Sequence, residues 1–165
     1  MPRQPTPEPE APTDAVVDLG PLPTLIGYAL RRAYAVVLQD FNRTLAEHDI
    51  RPAQFAVLEA VKHNPGLRQT QVSFSLGIKT TNFVPLLDEL ERRGLAGRRP
   101  IAGDRRARGL FLTPRGQDLL AQLEKLAAEH EARFTARVGA DGKAQLLGLL
   151  HRLADPAFDA PRDGN

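Results

Sequence analysis

The stretch from Leu67 to Thr113, LRQTQVSFSLGIKTTNFVPLLDELERRGLAGRRPIAGDRRARGLFLT, constrains the rest of the chain. Its apolar residues change period part-way along. Val72 and Leu76, then Phe83, Leu86, Leu87 and Leu90, recur at the three-to-four-residue spacing of amphipathic helices, which predicts one helix over about 68–76 and a second ending at Arg93. Leu76-Gly77-Ile78 is a turn between them, and Gly94 fits the C-terminal cap of the second, where positive φ is needed. Leu95–Arg99 and Gly109–Thr113 read as two short strands, with Leu110 and Leu112 alternating along the second. Pro100–Arg108 would be the hairpin tip, turning on Gly103.

Charge gives this segment a direction. Between Glu91 and Arg115, eight arginines stand against two acids, Glu91 and Asp104, a local charge of +6 in a chain whose formal net charge is +2. The remainder is therefore acidic, at −4. So concentrated a basic strip is the footprint expected for phosphate binding. A solvated loop can carry the same charge, so the strip counts because a helix-turn-helix pattern precedes it. Helix, turn, helix and basic hairpin outline a winged helix-turn-helix, a DNA-binding lobe. Its candidate contacts are Lys79, Thr80, Thr81, Asn82 and Val84 on the recognition helix, and Gln69, Thr70 and Gln71 at the start of the helix before it. Arg98, Arg105, Arg106 and Arg108 are candidates in the wing, with Arg105 placed for a minor groove, where the potential over narrow A·T tracts is most negative. Phosphate would repel Asp104, so Asp104 is expected to stabilise the wing by pairing with Arg106 or capping the turn. The short polar side chains at 79–81 equally suit N-capping, and at least one is expected to cap. Pro85 lacks the N–H that would bond the Thr81 carbonyl, so a slight kink is expected there.

The flanks are helical. Leu22, Ile26, Leu30, Ala33, Val37, Phe41 and Leu45 predict one long helix over about 22–47. A second apolar edge, Leu25, Ala29, Val36 and Leu38, makes it wider than one core-facing stripe, and a second copy of the chain is the simplest cover. Pro52 suits the first position of the next helix, with Phe55, Leu58 and Val61 on its buried side. Thr113-Pro114 is a further helix start; Gly139-Ala140-Asp141-Gly142 interrupts, and Leu146, Leu147, Leu149, Leu150 and Leu153 close the pattern. The expected class is mainly α with a small β-wing: a winged helix-turn-helix lobe over about 50–113 and a helical dimerisation region from both chain ends, about 21–48 and 114–154. Prolines at 2, 5, 7, 9 and 12 make residues 1–20 a flexible tail, which dimerisation could order into an arm, and 156–165 a second tail.

Composition removes other classes. With no cysteine, disulfides and thiolate sites are excluded. Four scattered histidines give no metal-ligand spacing, and neither a phosphate loop nor a nucleophile elbow is present, so no catalytic residue, metal or cofactor is expected and the chain does not read as an enzyme. No apolar run approaches the roughly 18 residues of a membrane span, and the N-terminus lacks the apolar core of a signal peptide, so a cytoplasmic location without membrane contact is expected.

Three motifs in order resemble the MarR family of transcriptional regulators, over about residues 22–154: GYALRRA at Gly27–Ala33, LxxLERRGL at Leu87–Leu95, and Asp104-Arg105-Arg106 followed by Leu110, Leu112 and Thr113. Pro85 and Gly109 depart from the family pattern, which more often has a polar or basic residue and a larger strand residue there. The resemblance implies a homodimer that binds a pseudo-palindromic double-stranded operator and represses. It also implies release by a small aromatic carboxylate, a phenolic compound or a coenzyme A thioester of one, bound between the dimer helices and the winged lobe. The candidate ligand residues are Tyr28, Arg31, Arg32 and Tyr34 on the first helix, with Phe41, His48, Phe55 and His63. An arginine could clasp a carboxylate bidentately and aromatics could flank a ring, although Arg31 and Arg32 equally suit an interhelical ion pair. A ligand-independent architectural DNA binder is the alternative.

Overall fold

The computed structural model describes residues 17–101 and 104–155, with the backbone alone at 104–107. The expected N-terminal tail up to residue 16, the Gly103 turn and the tail at 156–165 lie outside the described residues. The elements run α1 (Ile26–Leu45), α2 (Pro52–His63), α3 (Gln69–Ser75), α4 (Thr80–Arg92), β1 (Ala96–Ile101), β2 (Asp104–Leu112) and α5 (Pro114–Leu153). The fold is mainly helical, with one two-stranded antiparallel sheet. No helix among the described residues is long and apolar enough to cross a membrane.

The described residues fall into two compact units, one ending at Ala35 and the other beginning at Val36. In the first, the helix expected from Leu22 is broken. Leu22–Thr24 is a single 3₁₀ turn, Leu25 is extended (φ −85, ψ 128), and α-helix begins at Ile26. Pro21 caps that turn and Pro23 lies inside it, and the turn ends where the Leu25 N–H reaches the Leu22 carbonyl at 3.0 Å. Leu22, Leu25, Ile26 and Leu30 are all exposed in the single chain.

The second unit holds the core. Leu45, Val57, Leu58, Val61 and Val72 meet Phe83, Leu87 and Leu90 from α4, Leu95 and Leu110 from the sheet region, and Leu120 and Leu123 from α5. One side of each helix is thus committed inward, as the apolar spacing requires, and the other side of α4 is left to solvent. Gly94, at φ +66, ends α4 with its own N–H on the Glu91 carbonyl (2.8 Å) and the Leu95 N–H on the Leu90 carbonyl (2.9 Å), a left-handed cap that a Cβ would strain. Thr113 accepts the Gly116 N–H at 3.0 Å and Pro114 follows, so α5 begins as its capping residues predict. Gly139 (φ 76, ψ 164) interrupts helical geometry within α5, inside the interruption expected at 139–142.

The wing is longer than its sequence suggests. The ladder runs from Ala96 opposite Leu112 to Ile101 opposite Asp104, so most of the expected tip, Pro100–Arg108, is strand. Arg99, Pro100 and Arg108 are exposed, so no alternation of apolar and polar residues marked these strand positions. Pro100 is tolerated because a two-stranded ribbon leaves each strand one unpaired edge, and the register shifts beside it.

Gly109 explains a departure noted above. The Gly66 N–H donates to the Leu110 carbonyl (2.8 Å) and the Leu110 N–H to the Leu67 carbonyl (2.9 Å), so the α2–α3 connection lies along β2. A Cβ on Gly109 would stand 2.5 Å from the Gly66 carbonyl oxygen, and backbone cannot yield as a side-chain tip can. Gly109→Ala should therefore lower stability by roughly 2–3 kcal/mol in urea denaturation. Gly27→Ala, with open space around the added carbon, should change it by less than about 1 kcal/mol. Equal stability of the two variants would show that β2 and the connection are not so close.

Candidate nucleic-acid interface and ligand cleft

The buried side of α4 is Phe83, Leu87 and Leu90; Thr80, Thr81, Asn82 and Asp88 are exposed and Val84 is half-buried. Lys79, not a threonine, is the N-cap, and no side chain caps the helix. The Lys79 carbonyl instead accepts the N–H groups of Asn82 (2.9 Å) and Phe83 (3.0 Å). The expected hydroxyl cap is thus absent, because the threonines fall inside the first turn, and Thr80 and Thr81 stay on the exposed side. The helix continues through Pro85, so regular helix does not wait until Val84. Thr81 is exposed, and water can solvate its carbonyl in place of the missing donor.

The other candidates are unequally available. Thr70 is exposed. Gln71 Oε1 accepts the Arg68 N–H at 2.9 Å, closing the start of α3, and Gln69 Oε1 accepts from Arg98 Nε at 3.2 Å. Arg98 Nη1 also donates to Asp88 Oδ1 at 2.9 Å and to Glu91 Oε2. Arg92 makes a two-pronged pair with Glu89, at 2.7 and 2.9 Å. Arg93 donates to the carbonyls of Asp49 and, at 2.9 Å, His48, and pins the α1–α2 junction to the end of α4. Arg108 is exposed opposite Pro100, and Arg99 lies 5.9 Å over the Phe111 ring. The side chains of Asp104, Arg105 and Arg106 lie outside the described residues. The acids of α4 were not among the sequence candidates, although the i, i+3 spacing of Glu89 and Arg92 signals their pair.

Three of the predicted ligand residues share one cleft. Phe41, Phe55 and His63 line it with Pro52, Ala56, Glu59, Ala60, Asn64 and Leu76, around an open volume of about 550 Å³. Phe41 and Phe55 meet edge to face, centroids 5.4 Å apart. Burial, then the neighbouring Glu124, pushes the Glu59 carboxyl above the usual range, and His63 Nε2 lies 3.5 Å from Glu59. His48 is not in the cleft; it is half-buried at the α1–α2 junction. Tyr28, Arg31, Arg32 and Tyr34 belong to the first unit, where Arg31 stacks over Tyr28 at 5.4 Å and Tyr34 is exposed. No group of three or more metal-ligating side chains gathers among the described residues.

Comparison with known proteins places this geometry. A family model described as the MarR family matches residues 48–107. A Thauera aromatica protein assigned as the transcriptional regulator of an hcr operon is 30% identical over 137 residues, 82% of each chain. The transcriptional repressor CouR bound to a 23-mer DNA duplex is 42% identical, covers 86% of this chain and all of its own, and has a TM-score of 0.81. CouR bound to p-coumaroyl-CoA is 41% identical over 86% of this chain and 99% of its own, with a TM-score of 0.80.

Behind Phe41 lies a polar cluster that no sequence motif announced. Phe41 stacks on His130 at 4.7 Å, and His130, only 3% exposed, tilts against Phe134 at 5.0 Å. Asp40 Oδ2 meets His130 Nδ1 at 2.8 Å and Arg133 Nη2 at 2.8 Å, and Arg133 also donates to Thr44 Oγ1 at 2.7 Å. Arg133 first, and His130 second, hold the Asp40 carboxyl below its ordinary range. A depressed carboxylate favours the folded state above its unfolded pKa, and that contribution is lost as pH falls through the folded pKa. Asp40→Asn should therefore lower the melting temperature near neutral pH, and the gap to the parent should close on acidification below about pH 4. A gap that persists unchanged well below that pH, where the parent carboxyl is itself protonated, would mean that the Asp40 charge adds nothing to the cluster.

Proposed function

The chain belongs to the MarR family of transcriptional regulators, and from that premise we propose that it is a homodimeric, sequence-specific DNA-binding repressor released by an aromatic acyl-coenzyme A thioester. One observation carries the DNA half: α4 buries Phe83, Leu87 and Leu90 and presents Thr80, Thr81 and Asn82 to solvent on the lobe that carries the arginine-rich wing. In this reading the polar start of α4 enters a major groove, Arg105, Arg106 and Arg108 follow the backbone or a minor groove, and Asp104 steadies the wing. The DNA complex of the similar CouR supports it. Leu22, Ile26 and Leu30 near one chain end, and Leu146, Leu147 and Leu149 near the other, are exposed in the single chain. Covering such side chains is worth roughly 1.5–3 kcal/mol each, which a second copy would supply.

The ligand half rests on the cleft of Phe41 and Phe55. Its walls suit an aryl ring: two aromatic side chains with alanines between them. Its charge selects among the candidates. Glu59 and His63 are its titratable side chains, and no arginine or lysine lines it among the described residues. A free aromatic carboxylate would bring a second negative charge toward Glu59, whereas a thioester places a neutral carbonyl there. The p-coumaroyl-CoA complex of CouR supports this choice. Binding at this cleft would then favour a lobe spacing that no longer matches two successive half-sites.

The test is binding to the DNA just upstream of the chain's own gene, with p-coumaroyl-CoA and p-coumarate as the probes. Tight, sequence-dependent binding released by the thioester at concentrations where the free acid has no effect is expected. Release by the free acid alone would overturn the ligand assignment. Binding without sequence discrimination would favour an architectural role. Phe55→Leu keeps apolar volume but removes the ring edge, and should raise the thioester concentration needed for release about tenfold while operator affinity stays within about twofold.

A further inference from the structure

Arg98 carries the charge of a phosphate contact but not its surroundings. Its guanidinium meets Asp88 Oδ1 at 2.9 Å, Glu91 Oε2, and Gln69 Oε1 at 3.2 Å. Its backbone N–H donates to Glu91 Oε1 at 2.8 Å. One side chain on β1 thus joins two acids of α4 and the first residue of α3. The side chain is 26% exposed and Glu91 29%, so the Glu91 bond lies in the shelter of the helix–sheet junction, while Asp88, 57% exposed, holds the guanidinium from the solvent side. Two carboxylates around one guanidinium leave a local charge of −1. A phosphate at this spot would have to displace charge-assisted bonds already made, against acids that repel it.

We propose that Arg98 is a positioning residue for DNA binding: it fixes the wing to the recognition helix, so that Asp88 and Glu91, acids on the DNA-binding lobe, favour operator binding. The inference rests on the DNA-binding reading. A planar guanidinium can hold two acids and an amide together, whereas an ammonium offers a compact point charge without that fork. Three outcomes separate a brace from a phosphate contact. Truncating Glu91 removes negative charge from a DNA-binding lobe, which by long-range electrostatics alone tightens binding; losing a brace weakens it. Arg98→Lys preserves a phosphate contact and spoils a brace. Loss of a phosphate contact lowers the slope of log affinity against log salt by about 0.9, and loss of a brace leaves the slope alone.

The experiment titrates the full chain, and its Arg98→Lys, Arg98→Gln and Glu91→Ala variants, against the duplex that the parent protein selects from a random pool, at four salt concentrations. All three variants are expected to lose about tenfold in affinity for that duplex, with the parent's salt slope. Glu91→Ala binding tighter than the parent, or Arg98→Lys matching the parent while Arg98→Gln lowers the slope by about one, would overturn the proposal. A second readout needs no DNA. Amide exchange at Arg98, Arg99 and Ile101 and in their β2 partners should be at least threefold faster in Arg98→Gln and Glu91→Ala than in the parent. Unchanged exchange would overturn the brace even if the parent selects no duplex, an outcome that would itself count against the DNA-binding reading.

Discussion

The recognition helix, the wing and the long C-terminal helix take their positions from the backbone of Leu95. Its N–H closes α4 on the Leu90 carbonyl, and its carbonyl accepts the Thr113 N–H at 3.1 Å. Its side chain is 1% exposed. Gly116, in the first turn of α5, approaches so closely that a Cβ there would lie 1.8 Å from the Leu95 oxygen. The Thr113 hydroxyl donates to the Gly94 carbonyl at 2.6 Å while accepting from Gly116. Buried backbone groups must find partners, and here those of Gly94 and Leu95 lie on α4 and at the Thr113 cap of α5. The exposed side of α4 and the base of the wing are therefore parts of one rigid arrangement.

Charge is then distributed over that arrangement rather than spread along it. The arginine strip reads as a uniform +6 because the counting begins at Glu91. One helical turn earlier stand Asp88 and Glu89, and the fold brings both back onto the strip. Glu89 engages Arg92, and Asp88 joins Glu91 on Arg98. Arg93 is spent on the α1–α2 junction. Among the described residues the like charges thus separate into some that hold the lobe together and others, such as the exposed Arg108, that remain toward solvent. A lobe built this way can meet a polyanion with a stiff surface, since part of its own charge has already been used to stiffen it.

The cleft and the polar cluster behind it share Phe41. One side of that ring meets Phe55 at the cleft, and it also stacks on the buried His130, which Asp40 and Arg133 hold between α1 and α5. A ligand pressed against Phe41 would therefore push on a side chain whose other neighbours are closely packed. Such contacts transmit displacement rather than absorb it, because interiors at crystal-like density have little free volume.

Local chemistry in the sequence by itself determined the helices α2 to α5, the caps at Gly94 and Thr113, the break at Gly139 and the presence of a basic hairpin, because periodicity and capping act over a few residues. The break at Leu25 was not legible, because the apolar stripe runs past it and Pro21 and Pro23 stand where a first helical turn tolerates proline. Only the tertiary structure decided the length of the wing, because exposed residues such as Arg99, Pro100 and Arg108 carry no apolar alternation to mark a strand. Only it decided which arginines have acid partners, and that Gly109 must lack a side chain. The Asp40–His130–Arg133 cluster joins residues some ninety positions apart. His130 lies at helical spacing from Leu123 and Phe134, but spacing predicts that a side chain faces inward and not what it will find there. That partner is chosen by how helices pack, and packing depends on every apolar residue of the core together.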